Sequence, residues 1–334
     1  MLLAGDVGGT KTNLAIYASP EELTSPLVER TFSSKDFPCL EDLVRFFLRE
    51  TGIKVQFAVF GVAGPVLGGR VTGTNLPWVV ERERIRTELG LEDVWLLNDL
   101  EAVAYALPLL KDQDLYVLNK GEEQPQGTRA IVAPGTGLGE AFAVWVGDHY
   151  YVHPSEGGHT DFAPTNLLES ELLAYLLKRF PHVSYERVCS GVGIPNLYAF
   201  LRDEGYGTEP SWLAEQLAKA LDPTPFIINA ALERKPPDPL CERTLELFLS
   251  ILGAEAGNLA LKVLALGGVY LGGGIPPRIL PALKKGVFLE AFQNKGRMSS
   301  LMQKIPVYVI LNAKAALLGV TWYGIWKVFG GGGG

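Results

Sequence analysis

The residues equipped for chemistry in this 334-residue chain stand beside glycines. Asp6 precedes Gly8, Gly9 and Thr10 in the stretch Leu2-Leu3-Ala4-Gly5-Asp6-Val7-Gly8-Gly9-Thr10-Lys11-Thr12-Asn13-Leu14-Ala15-Ile16-Tyr17. Paired glycines permit positive φ and leave no side chain between backbone N–H groups and a ligand. Such N–H groups, with the Thr10 and Thr12 hydroxyls beside them, suit a phosphate. Asp6 can hold a hydrated magnesium ion against that phosphate. The same grammar returns at Gly135-Thr136-Gly137-Leu138-Gly139, set between apolar runs at 131–133 and 141–144. Asn98-Asp99 closes a third apolar run. A carboxylate facing a phosphate-binding turn can take a proton from a hydroxyl during phosphoryl transfer. An asparagine both donates to and accepts from hydroxyls, as recognition of a polyol requires.

Plainer readings compete at each position. Residues 5–12 look like a P-loop, but that motif needs glycine before the lysine, where Thr10 stands, and a helix after it. Gly135-x-Gly137-x-Gly139 lacks the dinucleotide-binding spacing and also runs into a strand. One glycine hairpin alone is an ordinary turn; a pair is harder to dismiss, and implies two similar halves gripping one nucleotide. Asp99 alone reads equally as a helix N-cap. Glu156-Gly157-Gly158-His159 places an acceptor and an imidazole on one turn, which alone is a solvated loop, and no cysteine is placed to complete a zinc site. Glu186, ahead of Ser190-Gly191-Val192-Gly193, is by itself a surface charge.

The elements that must position these residues follow from pattern. The glycine pairs join strands, a third strand is expected at 27–32, and Leu40, Leu43, Val44, Phe47 and Leu48 share one helical face ended by Thr51-Gly52. Strands are expected at 55–62 and 94–97, the latter bringing Asn98-Asp99 to its carboxyl end, where α/β sheets place ligands. A helix runs from Asp99 to about Leu110, and a loop at 121–127 follows. Downstream the chain is mainly helical, with a long helix from Thr244 to about Leu266, a strand at 269–271 entering Gly272-Gly273-Gly274, a strand at 307–310 and a last helix from Lys314. The expected division is a small α/β domain of 1–110 plus 303–329, a large α/β domain of 111–302, and a flexible glycine tail at 330–334.

Composition sets the bounds. The chain is 47% hydrophobic and 20% charged, with 38 glycines and 22 prolines, which describes a turn-rich α/β protein with room for two cores. Thirty basic against 37 acidic residues give −7 with no basic block, so no nucleic-acid partner is expected. Three scattered cysteines, Cys39, Cys189 and Cys241, suit a reducing cytoplasm. No signal segment precedes Asp6, and the most apolar stretch, 315–326, is too short to span a bilayer, so no membrane is expected.

Seven blocks in order carry a resemblance over nearly the whole chain. They are Gly5-Asp6-Val7-Gly8-Gly9-Thr10; Thr74-Asn75 with Trp78; Leu97-Asn98-Asp99; Gly135-Thr136-Gly137-Leu138-Gly139; Glu156-Gly157-Gly158-His159-Thr160-Asp161-Phe162-Ala163-Pro164; Glu186-Arg187-Val188 with Ser190-Gly191; and Gly272-Gly273-Gly274. The chain resembles the bacterial glucokinases of the hexokinase–actin-like ATPase superfamily. The resemblance implies a two-domain actin-like ATPase (ribonuclease H-like) α/β fold, each domain a mixed sheet flanked by helices, with a cleft between the domains. It implies transfer of the γ-phosphoryl group of ATP to the 6-hydroxyl of glucose at the start of glycolysis, with Asp99 as general base. Asn75, Asn98, Asp99, Glu156, His159 and Glu186 look like sugar ligands. Gly8, Gly9, Thr10, Gly135, Thr136 and Gly137 look like the phosphate loops, Gly272, Gly273 and Gly274 the adenosine loop, and Asp6 the magnesium-side carboxylate. A homodimer is expected. Gly-Gly-Thr-Lys is also common in the repressor–kinase group of sugar kinases, but the cysteine-rich zinc motif of that group is lacking here. Asn312-Ala313-Lys314 replaces the Asn-Pro expected before the last helix. A hexose-sensing regulator and another ATPase of the same fold, such as an exopolyphosphatase, are the competing readings; the first lacks a basic face and the second has no use for a polyol cluster.

Overall fold

A computed structural model describes residues 1–18, 25–72 and 78–330. The chain forms two compact units: Met1–Asp112, Val152–Pro154 and Asn312–Gly334 in one, Gln113–Tyr151 and Ser155–Leu311 in the other. Asn75 lies outside the described residues.

Unit 1 is built on β1 (Leu2–Val7), β2 (Lys11–Tyr17), β3 (Val28–Ser33), β4 (Phe57–Val62), the short β5 (Val66–Leu67), β6 (Arg70–Thr72) and β7 (Val79–Glu81), and β8 (Asp93–Asn98). The main sheet has the order β3-β2-β1-β4-β8; β5, β6 and β7 form a small sheet of their own. β1 to β3 are antiparallel neighbours, whereas β1, β4 and β8 run parallel. Strands 1, 2 and 4 are buried almost throughout because helices cover the sheet, which explains their continuous apolar runs. The apolar face of α1 (Leu40–Thr51) packs Leu40, Leu43, Val44 and Phe47 against Leu3, Leu14, Ile16 and Phe60. Gly52 ends it at φ +67°, the left-handed stop expected after Thr51. α2 (Arg82–Leu89) is polar and buries only Ile85. α3 (Asp99–Ala106) leaves β8, and near the chain's end a last helix, Ala315–Ile325, packs against α3, β1 and β4.

Unit 2 repeats the scheme. β9 (Leu115–Asn119), β10 (Arg129–Pro134), β11 (Leu138–Val146), β12 (His149–Ser155), β13 (Val269–Leu271) and β14 (Val307–Ile310) make a sheet of order β12-β11-β10-β13-β14-β9. As in unit 1, a glycine hairpin (β10–β11) is followed by parallel strands (β10, β13, β14). Helices α4 (Leu167–Leu177), α5 (Ile194–Asp203), α6 (Ser211–Lys219), α7 (Thr224–Leu232) and the 25-residue α8 (Pro239–Val263) fill the interval. After β13 come the short α9 (Leu280–Leu283), α10 (Val287–Gln293) and α11 (Ser299–Met302); Ala315–Ile325 is thus α12. Among the described residues α8 is the one helix long and apolar enough to cross a membrane, and 78% of its most apolar window is buried in the protein, so it is a core helix. Pairing of β14 with β13 and β9 keeps residues through Leu311 in unit 2. The return to unit 1 therefore comes at Asn312, not at the expected 303.

Candidate functional site

In unit 1 the parallel register carries the candidate residues to one edge. Val7 pairs with Val62 and Val62 with Asn98, so Asp6 and Asn98 both lie at the carboxyl end of the sheet. Asp6 Oδ2 accepts from Asn13 Nδ2 at 3.2 Å, and Asn13 is fixed in turn by Thr31 at 2.7 Å. Burial raises the Asp6 carboxyl above its ordinary range, and the Asn13 bond only partly opposes it. In the turn that follows, Gly8 N–H donates to Lys11 O at 2.9 Å, which closes the hairpin. Ser34 Oγ donates to Gly8 O at 2.6 Å, Thr12 Oγ1 lies 2.9 Å from Ser34 Oγ, and both hydroxyls are buried.

Two expectations change here. The Thr12 hydroxyl braces the turn from within and is not placed for a phosphate. Gly8 does not take a positive φ; a Cβ there would instead lie 3.1 Å from Lys11 O. The turn can direct Gly9 and the exposed Thr10 outward.

Asn98 and Asp99 also exchange parts. The N-cap of α3 is Asn98, not Asp99: Asn98 Oδ1 accepts from Leu100 N at 2.9 Å and Glu101 N at 3.4 Å. Glu101 Oε2 accepts from Asn98 N at 3.2 Å, which completes a capping box. Asn98 Nδ2 donates to Gly64 O at 2.9 Å, so one amide hydrogen is left to meet a ligand. Asp99 is the first residue of α3, with Oδ1 accepting from Leu100 N at 3.0 Å, and its charge lies at the helix's positive end.

In unit 2 four turns converge. The Pro134–Leu138 turn is held by Gly191 N–H to Gly135 O at 2.8 Å and Val192 N–H to Thr136 O at 3.1 Å. Glu186 Oε2 accepts from Leu138 N at 3.1 Å and occupies the space that a Cβ at position 137 would need. Gly137 lets that carboxylate approach closely, and the contact couples a candidate phosphate loop to a candidate sugar ligand. Gly273, at φ +79°, lies against Pro134 O, where a Cβ would come within 2.5 Å, so the 272–274 turn is seated on the first. Glu156 precedes and His159 ends a single 3₁₀ turn, Gly157–His159, with His159 Nε2 4.0 Å from Glu156 Oε2 and both side chains exposed. Tyr185 N–H donates to Thr160 O at 3.1 Å and joins that turn to the one bearing Glu186. Gly135, Thr136, Gly137, Gly272, Gly273, Gly274, Glu156, His159 and Glu186 therefore belong to one constellation.

Reading the sequence missed the supports. Asn98-x-x-Glu101 carries a visible capping-box signature. Ser34, which holds the first turn, and Ser190 Oγ, which donates to Glu186 O at 2.6 Å, have no such signature.

Two like-ordered sheets, each with a glycine turn in its first hairpin, have the arrangement of the two-domain actin-like ATPase fold. A family model described as Glucokinase matches residues 3–324. The chain is 43% identical to the glucokinase of Nostoc punctiforme over 335 residues, 96% of this chain and 98% of that one. A solved glucokinase from an Antarctic psychrotroph is 33% identical at TM-score 0.81, covering 97% and 98% of the two chains. A glucokinase of the ROK family from Streptomyces griseus, solved with glucose and AMPPNP, shares the fold at TM-score 0.64 and 19% identity, over 97% and 98%. The chain belongs to the glucokinase family. Among the described residues no group of three or more His, Cys, Asp or Glu could hold a metal ion.

Proposed function

We propose that Asp99 is the general base of a glucose 6-kinase. As the first residue of α3 it stands at the same sheet edge as Asp6; this placement carries the reading. Asp99 takes the proton of the glucose 6-hydroxyl while that oxygen attacks the γ-phosphoryl group of ATP, and ADP leaves. Asn98 offers its remaining amide hydrogen to a sugar hydroxyl, and Glu156, His159 and Glu186 hold others, with Asn75 assigned to the same sugar. Thr10, the Gly8-Gly9 backbone and the 135–137 turn hold the phosphates, and Gly272, Gly273 and Gly274 the adenosine.

Asp6 fits a magnesium ion: a half-buried carboxylate with one 3.2 Å donor is under-compensated, and magnesium often takes one or two carboxylates with water and phosphate completing its shell. Bound there through water, the ion would neutralise phosphate charge. Three free cysteines, two of them buried, accord with a reducing compartment such as the cytoplasm. Light scattering tests the expected homodimer.

The decisive experiment is Asp99→Asn. Because Asn98 caps α3, and Asn can keep the contact to Leu100 N, folding should change little. Loss of general-base assistance should lower turnover by a factor on the order of 10² to 10⁴, with substrate affinities nearly kept. A folded variant with near-parental turnover refutes the assignment.

A further inference from the structure

Behind the turns that bear Glu156, His159 and Glu186 lies a polar network with no part in the chemistry itself. Glu140 on β11 is 2% exposed and Glu255 on α8 is fully buried. Their carboxyls meet at hydrogen-bonding range, and Glu140 Oε1 and Glu255 Oε1 have no other donor among the described residues. Ionised carboxylates only accept, so a proton held between the two would give both orphaned oxygens a partner.

Glu255 is anchored on its far side. Its Oε2 accepts from Asn258 Nδ2 at 3.0 Å, and that amide also donates to the Tyr185 hydroxyl at 2.9 Å, next to Glu186. Asn258 Oδ1 accepts from Lys295 Nζ at 2.6 Å, and Lys262 Nζ stands 3.9 Å from Glu255 Oε1. The groups facing the pair are therefore Tyr185 and Cys189 from the segment before α5, Lys262 from α8, and Lys295 from the segment after α10. Burial, then the Glu255 charge, raises both Tyr185 and Cys189 and keeps them neutral. Glu140 has no such anchor. Its Oε2 fills the space where a Cβ on residue 157 would stand, so it lies against the backbone of Gly157, between Glu156 and His159.

We propose that Glu140 is a positioning residue that, by sharing one proton with Glu255, holds the 156–159 turn in its sugar-binding shape and releases it when that proton is lost. The inference rests on Glu156 and His159 being sugar ligands. Burial, then Glu255, pushes the Glu140 carboxyl up to about 8, with Lys262 opposing. Above that pH two like charges share a buried pocket. Glu255 is tied by Asn258 and Lys262, so Glu140 moves, and the atoms in its way are those of Gly157.

The test is the KM for glucose and for ATP in the parent, Glu140→Gln, Glu140→Ala and Glu156→Gln, from about pH 6 to about pH 9.5. For the parent, glucose KM should rise roughly three- to tenfold through the alkaline half, a tenfold rise being about 1.4 kcal/mol of binding, with ATP KM steady. Glu140→Gln, whose amide donates where the protonated carboxyl did, should hold glucose KM low and flat. Glu140→Ala should raise it at every pH; if that variant does not fold, the glutamine variant decides alone. A flat parental profile, or an unchanged alkaline rise in Glu140→Gln, overturns the proposal. A parental glucose KM in Glu156→Gln refutes the sugar-ligand reading and the inference with it. A raised one, beside an unchanged rise in Glu140→Gln, refutes the inference alone. A purely structural Glu140 would alter melting without changing the pH profile of glucose KM.

Discussion

Replacing Asn98 by alanine removes three contacts at the start of α3: those of Oδ1 with Leu100 N (2.9 Å) and Glu101 N (3.4 Å), and that of Nδ2 with Gly64 O (2.9 Å). Loss of an N-cap costs about 0.5–2 kcal/mol. The bond to Gly64 adds about 0.5–1.5 kcal/mol. Together they give roughly 1–3.5 kcal/mol, and at about 2 kcal/mol a domain of this size should melt about 4–8 °C lower. Serine at position 98 keeps a capping oxygen but cannot reach Gly64, so Asn98→Ser should lose about half as much. The assay is thermal unfolding followed by circular dichroism, joined to hydrogen exchange at single amides. Glu101 N–H, which has only the long Asn98 bond as a side-chain partner, should exchange faster in the alanine variant and near the parental rate in the serine variant. Leu100 N–H should change less, because Asp99 Oδ1 also accepts from it at 3.0 Å. Equal melting and exchange in all three proteins would refute the capping role. Equal destabilisation by alanine and serine would assign the whole effect to Gly64.

Gly137→Ala places a Cβ on Glu186 Oε2, so it should displace that carboxylate and raise glucose KM about tenfold or more, read by steady-state kinetics; an unchanged KM would show that Glu186 does not need that position. Burial, then Glu255, raises the Glu140 carboxyl to about 8, so its stabilising contribution is complete below its ordinary value of 4.5 and is lost as pH rises through about 8; urea midpoints should fall across that window, and Glu140→Gln should reduce the fall. Burial raises Asp6 too, so Asp6→Asn should melt at or above the parental temperature near neutral pH, while needing more magnesium for half-maximal turnover; a clear loss of stability would contradict the desolvation argument.

What could be read from sequence divides by range. The hairpins at Gly8-Gly9 and Gly135–Gly137 were legible because two short apolar runs around glycine leave few alternatives. The face of α1 was legible from Leu40, Leu43, Val44 and Phe47 alone. The start of α8 was misplaced at Thr244: Asp238 caps the helix through Cys241 N at 3.0 Å and Pro239 occupies the first turn, where its missing N–H does no harm. Asp99 drew attention from its neighbour although Glu101 completes the signature that marks Asn98 as the cap. The contacts of Thr12 with Ser34, and of Glu140 with Glu255, join distant segments through tertiary packing, and no local pattern marks them. The sheet that takes β14 is likewise decided by pairing, not by the composition of Val307–Ile310.

The way the chain leaves unit 1 and comes back to it has a consequence for synthesis. The five strands of the first sheet emerge from the ribosome before unit 2, but α12, which covers β1 and β4 and packs on α3, is made only after it. The first unit is thus completed only after the second, and it waits with one face of its sheet covered by α3 alone while the segment 155–311 folds on its own local contacts. Partly bare, paired strands with apolar faces are a hazard for aggregation. A ribosome stalled before Ala315 should present a protease-resistant second unit and a protease-sensitive first one, and protection of β1 and β4 should arrive only when α12 is released.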